Sequence, residues 1–322
     1  MLAVVPKYRP HRGSDGAMKA QEKIWMDGKL VPWDDAKIHI LTHGLHYGMA
    51  VFEGIRAFST PGGRAIFRLD EHIERFLNSA KIYRMEVGYS AKELKKACIE
   101  LVKSNPAKEC YIRPIAFTAY GEMGLNPLKS KISVGIASWE WGAYLGADSS
   151  KRGVRAMVSS WVRVDSRSMP VQAKSVANYA NSALAKMEAV TSGYDEAILL
   201  NTTGKVAEGP GENIFRVKDG ILSTPPASSG ILRGITRDTI IQFARDLNIT
   251  FYRNDATREE LYTSDEVFFS GTAAGIAKVR EIDGRKIGYN GTPVSDKMVK
   301  LYDQTVHGRA KRYSKWLTLV GS

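Results

Sequence analysis

The chain has 322 residues, 43% of them hydrophobic and 25% charged, which bounds it to one large or two medium folded domains and excludes a disordered chain. Its 46 Lys and Arg against 34 Asp and Glu give a net charge of +12, but the basic residues are scattered. Without a basic stripe or a recognition motif, that charge points to a solvated surface attracting small anions and away from nucleic-acid binding. No run of about 18 apolar residues exists to span a membrane, and Cys98 and Cys110, far from His ligands, read as buried thiols of a cytoplasmic protein with no metal site.

Residues 1–18 end in a Gly/Ser/Asp cluster and read as an arm or appended tag, with the fold starting near Lys19. In KIWMDGKLVPW, Asp27-Gly28 between short apolar runs is a hairpin. IFRLDEHIERFLNSAKIYRM then turns helical, with Ile73, Phe76, Leu77 and Ala80 on one face and Asp70 as N-cap. A second helix covers residues 91–103, burying Leu94, Cys98, Leu101 and Val102. CYIRPIAFTAY is a strand whose Pro114 places it at an edge or a bulge, and ISVGIASWEW is another. GAYLGADSSKRG is small and polar, a linker. Beyond it VRAMVSSWVRV is a strand, and ANYANSALAKMEAVTSGY is a helix with Ala180, Leu184 and Met187 inward and Gly193 as its stop. EAILLNTTGKVAEG and NIFRVKDGILSTP give strands with a turn at Asp219-Gly220. GITRDTIIQFARDLNI is a helix with Ile240, Phe243, Ala244 and Leu247 on one stripe, and DEVFFSGTAAG is a strand running into a small-residue loop.

Several residues invite a chemical reading, each with a plainer one beside it. Lys174, in PVQAKSVANY, is either a snorkelling surface lysine or a desolvated amine of nucleophilic use. Glu208 precedes the irregular turn Gly209-Pro210-Gly211, where binding residues concentrate, but a turn carboxylate in solvent fits equally. GITRDT opens a helix whose first amides, at Ile235 and Thr236, suit an anion. SGTAAG (270–275) lets a ligand approach the backbone, though such turns more often serve geometry. Arg75 lies on a helix, where arginines are mostly solvated, and His43 and His46 have no third ligand at metal spacing.

The order HYGMAVFEGIRAF, EHIERF, YIRP, isolated Lys174, EGPGENIF, GITRD and SGTAA resembles the fold-type IV (class IV) pyridoxal-phosphate enzymes, and within them the branched-chain amino-acid aminotransferases, over residues 24–302. The resemblance implies an α+β two-domain fold. A smaller N-terminal α/β domain (19–142), an interdomain linker (143–153) and a larger C-terminal pseudobarrel-like domain (154–320) would hold pyridoxal 5'-phosphate between them. It implies that Lys174 is the catalytic residue and joins the cofactor as a Schiff base, that Glu208 pairs with the ring nitrogen, and that Tyr179 meets the phenolic oxygen. Leu232 would pack on the ring, with Arg75, Ile235, Thr236 and Thr272 at the phosphate. For substrate it implies an apolar wall from Phe52, Gly54, Tyr111, Trp141 and Tyr144. A distal-carboxylate site would come from Tyr47, Arg113 and Tyr144, and an α-carboxylate site from the amides of Thr272, Ala273 and Ala274. Tyr47 and Leu125 would reach in from the partner of a homodimer or higher oligomer. The implied reaction is ping-pong transfer from Leu, Ile or Val to 2-oxoglutarate. A D-amino-acid transaminase and an aminodeoxychorismate lyase of the same fold are the alternatives.

Overall fold

The computed structural model describes residues 20–141, 152–288 and 291–321. The expected arm, most of the linker and Tyr144 lie outside the described residues.

The first half is a sheet backed by two helices. The hairpin forms as expected: β1 (Lys23–Met26) and β2 (Lys29–Pro32) are joined through Asp27 at φ 44° and Gly28 at φ 93°, the pair of left-handed residues a tight hairpin turn demands. The short helix α1 (His43–Tyr47) leads into β3 (Ala50–Phe52), β4 (Ile55–Thr60) and β5 (Gly63–Phe67). Helices α2 (Leu69–Ile82) and α3 (Ala91–Ser104) follow, then the long strands β6 (Cys110–Thr118) and β7 (Ile132–Glu140). Ile73, Phe76, Leu94, Cys98, Leu101 and Val102 from the two helices form one core with Ile55, Ile66, Ile112 and Val134 of the sheet. Ser90 begins α3 with a reciprocal cap to Glu93. Asp70 is not the cap of α2; Arg68, at φ 54°, holds that position, and Asp70 sits in the first turn paired with Lys95 at 2.6 Å.

Pro114 corrects the expectation of an edge or a bulge, since the register runs on unshifted from Phe52 opposite Ile115 to Ile55 opposite Ile112. β6 is interior, paired with β7 along its whole length and on its other side with β3 and β4. The break between β3 and β4 falls opposite Pro114, whose carbonyl accepts from Glu53 N at 2.8 Å. The missing N–H faces that break, so no ladder bond is lost.

The second half is built on β8 (Val154–Val158), β9 (Glu196–Leu200), β10 (Val206–Glu208), β11 (Asn213–Lys218), β12 (Ile221–Thr224), β13 (Phe251–Arg253), β14 (Glu266–Gly271), β15 (Gly275–Ile282) and β16 (Arg285–Lys286). Six of these close on themselves in the order β10-β9-β8-β15-β14-β11-β10, a barrel. Alternation along β14 sends Val267 and Phe269 to one apolar cluster and Phe268, stacked on Phe215 at 5.1 Å, to another under the helices. Those helices are α5 (Ile235–Asp246) and α7 (Pro293–Val306); α4 (Asn178–Thr191) packs on β9, and α6 (Arg258–Tyr262) is short. Ile240, Phe243 and Ala244 are buried as expected, whereas Leu247 caps its helix and is exposed. On α4 the expected inward face is reversed: Ala180, Leu184 and Met187 point outward, and Asn178, Ser182, Ala185 and Ala189 are buried. Small side chains let the helix lie close on the barrel, leaving the larger apolar stripe uncovered.

The last strand, β17 (Leu317–Leu319), returns to the first sheet and pairs with β5. Both cysteines are buried and free, and burial pushes Cys98 up to about 12 and Cys110 to about 11.

Candidate active site

A cavity of about 400 Å³ opens between the two halves. Lys174 reaches it from a segment stitched to the first half. Phe52 N donates to Lys174 O at 2.9 Å, Val176 N to Ala50 O at 2.9 Å, and Lys174 N to Ser79 Oγ at 3.0 Å. Tyr83 on the far side donates to Ser175 Oγ at 2.8 Å. With its backbone tied on both sides, the lysine side chain enters the cavity from a rigid floor. Its Nζ donates to Tyr179 Oη at 2.5 Å and lies 4.9 Å from the ring centre of Phe52. Burial, then the positive charge of Arg75, push the amine down to about 8. The solvated-lysine alternative is thereby removed. Tyr179, in the first turn of α4, is held protonated by burial.

Glu208 ends β10 and is buried, not solvated. Its oxygens accept from Asn213 Nδ2 at 2.9 Å and from Leu232 N at 3.1 and 3.2 Å, and Arg163 Nε approaches to 2.9 Å. Burial still raises its pKa above the ordinary value, against the opposing pull of Arg163. Gly234 precedes α5 with no side-chain cap, so the first amides of that helix have no intrahelical partner. A Cβ at Gly234 would stand 2.0 Å from Asn213 Oδ1, so any other residue there must displace Asn213.

Arg75 spans the cavity floor. Its Nε and Nη2 donate to Glu53 at 2.6 and 2.8 Å, and its Nη1 to Arg233 O at 3.1 Å. Glu53 is wholly buried and also accepts from His72 Nδ1 at 2.8 Å. Burial opposes ionisation of Glu53, but Arg75 and His72 outweigh it and hold the carboxyl far below the usual range. His72 is depressed, chiefly by burial.

The opposite wall is aromatic. Tyr111 stacks on Trp141 at 4.5 Å, and Trp141 Nε1 donates to Ala273 O at 3.1 Å. Arg113 lies 4.7 Å over Phe52 and 5.3 Å over Tyr111, and its buried Nε has no hydrogen-bond partner among the described residues. Gly54 is pressed against Tyr111: a Cβ there would meet the phenol oxygen at 1.8 Å. Ser270 Oγ is likewise buried without a partner among the described residues and lines the cavity.

Of the residues singled out in the sequence, the cavity gathers Phe52, Gly54, Arg75, Tyr111, Arg113, Trp141, Lys174, Tyr179, Glu208, Leu232, Ile235, Thr236, Thr272 and Ala273. It does not include Ala274, nor Tyr47 and Leu125, which are 41% and 84% exposed. His43 and His46 bond to the carbonyls of Gly124 and Ile40. Sequence reasoning misses five participants: Glu53, His72, Arg163, Glu212 and Asn213. Glu53 and Arg163 are charges inside apolar runs, VFEGI and WVRV, which is the mark of a buried partner. Glu212 lines the cavity, and burial and the carboxylate of Glu196 push it well above the usual range.

A closed barrel joined to a helix-backed sheet, with a desolvated lysine and a buried glutamate facing one cavity, defines a class IV aminotransferase. The chain belongs to that family, whose model (amino-transferase class IV) matches residues 50–282. It is similar to the branched-chain-amino-acid aminotransferase of Pseudomonas aeruginosa, at 45% identity over 298 residues, 92% of this chain and 97% of that one. Among solved structures it is similar to the branched-chain aminotransferase of Thermoproteus uzoniensis with norvaline, at 47% identity and TM-score 0.89, covering 93% and 99% of the two chains. It also resembles the branched-chain amino acid aminotransferase of Thermobaculum terrenum in its PLP-bound holo form. There the identity is 35% and the TM-score 0.88, covering 94% and 99%.

Proposed function

We infer that the chain is a pyridoxal-phosphate-dependent transaminase that moves the amino group of branched-chain amino acids to 2-oxoglutarate. The observation that carries this reading is the amine of Lys174, pushed down to about 8 by burial and by Arg75, facing Glu208 across a cavity of cofactor size. The residues fit the group. A lysine held partly neutral suits an aldehyde, a buried carboxylate suits a cationic ring nitrogen, and a glycine-led helix start with Arg75 suits a phosphate. Bound there, the cofactor supplies a carbonyl for amine exchange and a ring that accepts electron density from the substrate Cα.

The chain's own residues do the rest. Lys174 Nζ, once free, takes the proton from the substrate Cα and returns it on the other side of the exchange, a task suited to an amine titrating near the working pH. Tyr179 Oη, 2.5 Å away, fixes where that amine points. Glu208 keeps its charge when a cationic partner faces it, and Asn213 and Leu232 N hold it in place. Arg75, the amides of Ile235 and Thr236 and the hydroxyls of Thr236 and Thr272 would hold the phosphate. Leu232 would lie on the ring face, and the Thr272–Ala274 backbone would take the substrate α-carboxylate. Phe52, Gly54, Tyr111 and Trp141 give an apolar wall for leucine-like side chains. Arg113, with Nε unpartnered among the described residues, offers a cation to the distal carboxylate of glutamate. The two substrates thus share one pocket and must react in turn, which gives ping-pong kinetics.

The chain would act as a homodimer, Tyr47 and Leu125 completing the partner's pocket. Leu45, Leu125, Leu128 and Met187, all more than half exposed, support that reading. The two sheets support a division at 143–153 between domains 19–142 and 154–320. Among the described residues no helix is long and apolar enough to cross a membrane, and the free buried thiols favour the cytoplasm. The test is direct: the holoenzyme should bleach with L-leucine and recover with 2-oxoglutarate, and borohydride should fix the cofactor's mass on Lys174. Mass on another lysine, or bleaching by D-alanine alone, would overturn the assignment.

A further inference from the structure

We propose that Glu53 is the positioning residue of the phosphate site, acting by holding the guanidinium of Arg75 in one orientation. The proposal rests on the cofactor reading above and deepens it. Glu53 sits at the junction of β3 and β4, between Phe52 and Gly54, and has no solvent exposure. Oε1 accepts from Arg75 Nε at 2.6 Å. Oε2 accepts from Arg75 Nη2 at 2.8 Å, from His72 Nδ1 at 2.8 Å and from Gly54 N at 3.1 Å. Four donors saturate the carboxylate, and its own N–H is tied to Pro114 O at 2.8 Å. The carboxylate is therefore fixed to the sheet through its own backbone, while Arg75 and His72 reach it from α2.

Two consequences follow for Arg75. Its Nε–Nη2 edge is consumed by Glu53, so an incoming phosphate can meet only the Nη1–Nη2 end of the guanidinium. The remaining nitrogen, Nη1, is directed to the start of α5 through Arg233 O at 3.1 Å. The charge is also offset: Glu53 is ionised, Arg75 cationic and His72 held neutral by burial, so the cluster carries no net charge. An arm with no net charge attracts an anion through placed donors more than through long-range field. Without Glu53, Arg75 becomes an unguided cation, closer in behaviour to a lysine.

The test uses cofactor-free full-length protein titrated with pyridoxal 5'-phosphate and, separately, with pyridoxal, which lacks the phosphate, followed by absorbance. In Glu53→Gln the dissociation constant for pyridoxal phosphate should rise at least about tenfold, the loss expected for a charge-assisted bond set adrift. Pyridoxal should bind as it does to the unaltered protein. Equal weakening of both ligands, or no change in either, overturns the proposal, because a merely structural role would not single out the phosphate. Should Glu53→Gln not fold, Glu53→Asp keeps the charge while shortening the reach. It should show the same selective loss, and wild-type affinity for the phosphate form would overturn the positioning argument. If the unaltered protein takes up neither ligand, the cofactor reading fails first and this one with it.

Discussion

Replacing Gly234 by alanine is a severe test of how the site is held. The new methyl would stand 2.0 Å from Asn213 Oδ1 and 3.3 Å from its Cγ, so Asn213 must swing away. That side chain is 5% exposed and donates at 2.9 Å both to Glu208 Oε2 and to Leu232 O. Losing a bond to a carboxylate costs about 1.5–3 kcal/mol and a neutral one about 1 kcal/mol. Exchanging an N-cap glycine for alanine adds up to about 1 kcal/mol. The total, roughly 3–5 kcal/mol, corresponds to a fall of about 4–7 °C in the melting temperature for a chain of this size. Calorimetry of the cofactor-free protein would read it. Asn213→Ala loses the same two bonds without the clash, so the double variant should melt within about 1 kcal/mol of Asn213→Ala alone. Additive losses, or a Gly234→Ala protein that melts like the parent, would refute the idea that this glycine serves Asn213.

Lys174→Met should abolish transamination yet stabilise the cofactor-free protein at pH 7. The amine is pushed from 10.5 down to about 8, so burying it as a cation costs about 3 kcal/mol below pH 8. Between pH 8 and 10.5 the unfolded chain binds the extra proton, the parent gains stability as pH rises, and the advantage of the variant should vanish near pH 10. Melting curves at pH 7 and pH 10 that run parallel would contradict it. Glu208→Ala leaves Arg163 buried without its carboxylate and should cost about 3–5 kcal/mol, visible as a lower denaturant midpoint. Glu208→Gln should keep most of the stability while losing turnover. Trp141→Phe keeps an aromatic ring on the wall but removes the bond to Ala273 O, and kcat/KM for L-leucine should drop about two- to tenfold.

Local chemistry makes much of this architecture readable. Asp27-Gly28 and Asp219-Gly220 turn where two left-handed residues are needed, and the periodicity of Ile73, Phe76 and Ala80 marks a face that is in fact buried. What fails has physical reasons. On α4 size and hydrophobicity favour Leu184 and Met187 for the core, but a helix seated tightly on a barrel buries its small side chains. Pro114 signals an edge or a bulge, because the gap in the neighbouring strand is a tertiary fact. Helix α7 escapes notice, although Met298, Tyr302, Thr305 and Val306 recur at helical spacing behind Pro293. For the site, Lys174, Arg75 and Glu208 are visible only jointly. The residues that hold them, Glu53, Arg163 and Asn213, touch their partners across separations of 5 to 45 residues that no local pattern encodes.

Strand β17 has a bearing on how the protein is made. Leu317, Thr318 and Leu319 lie against β5, Val320 N donates to Arg64 O at 2.8 Å, and the Val320 side chain joins the first apolar core. A nascent chain emerging from the ribosome would therefore present β5 as an open sheet margin through synthesis of the entire barrel. Only when residue 320 has left the tunnel can that margin be sealed. The first half is built early but finished late, and any chaperone guarding it must wait out the second.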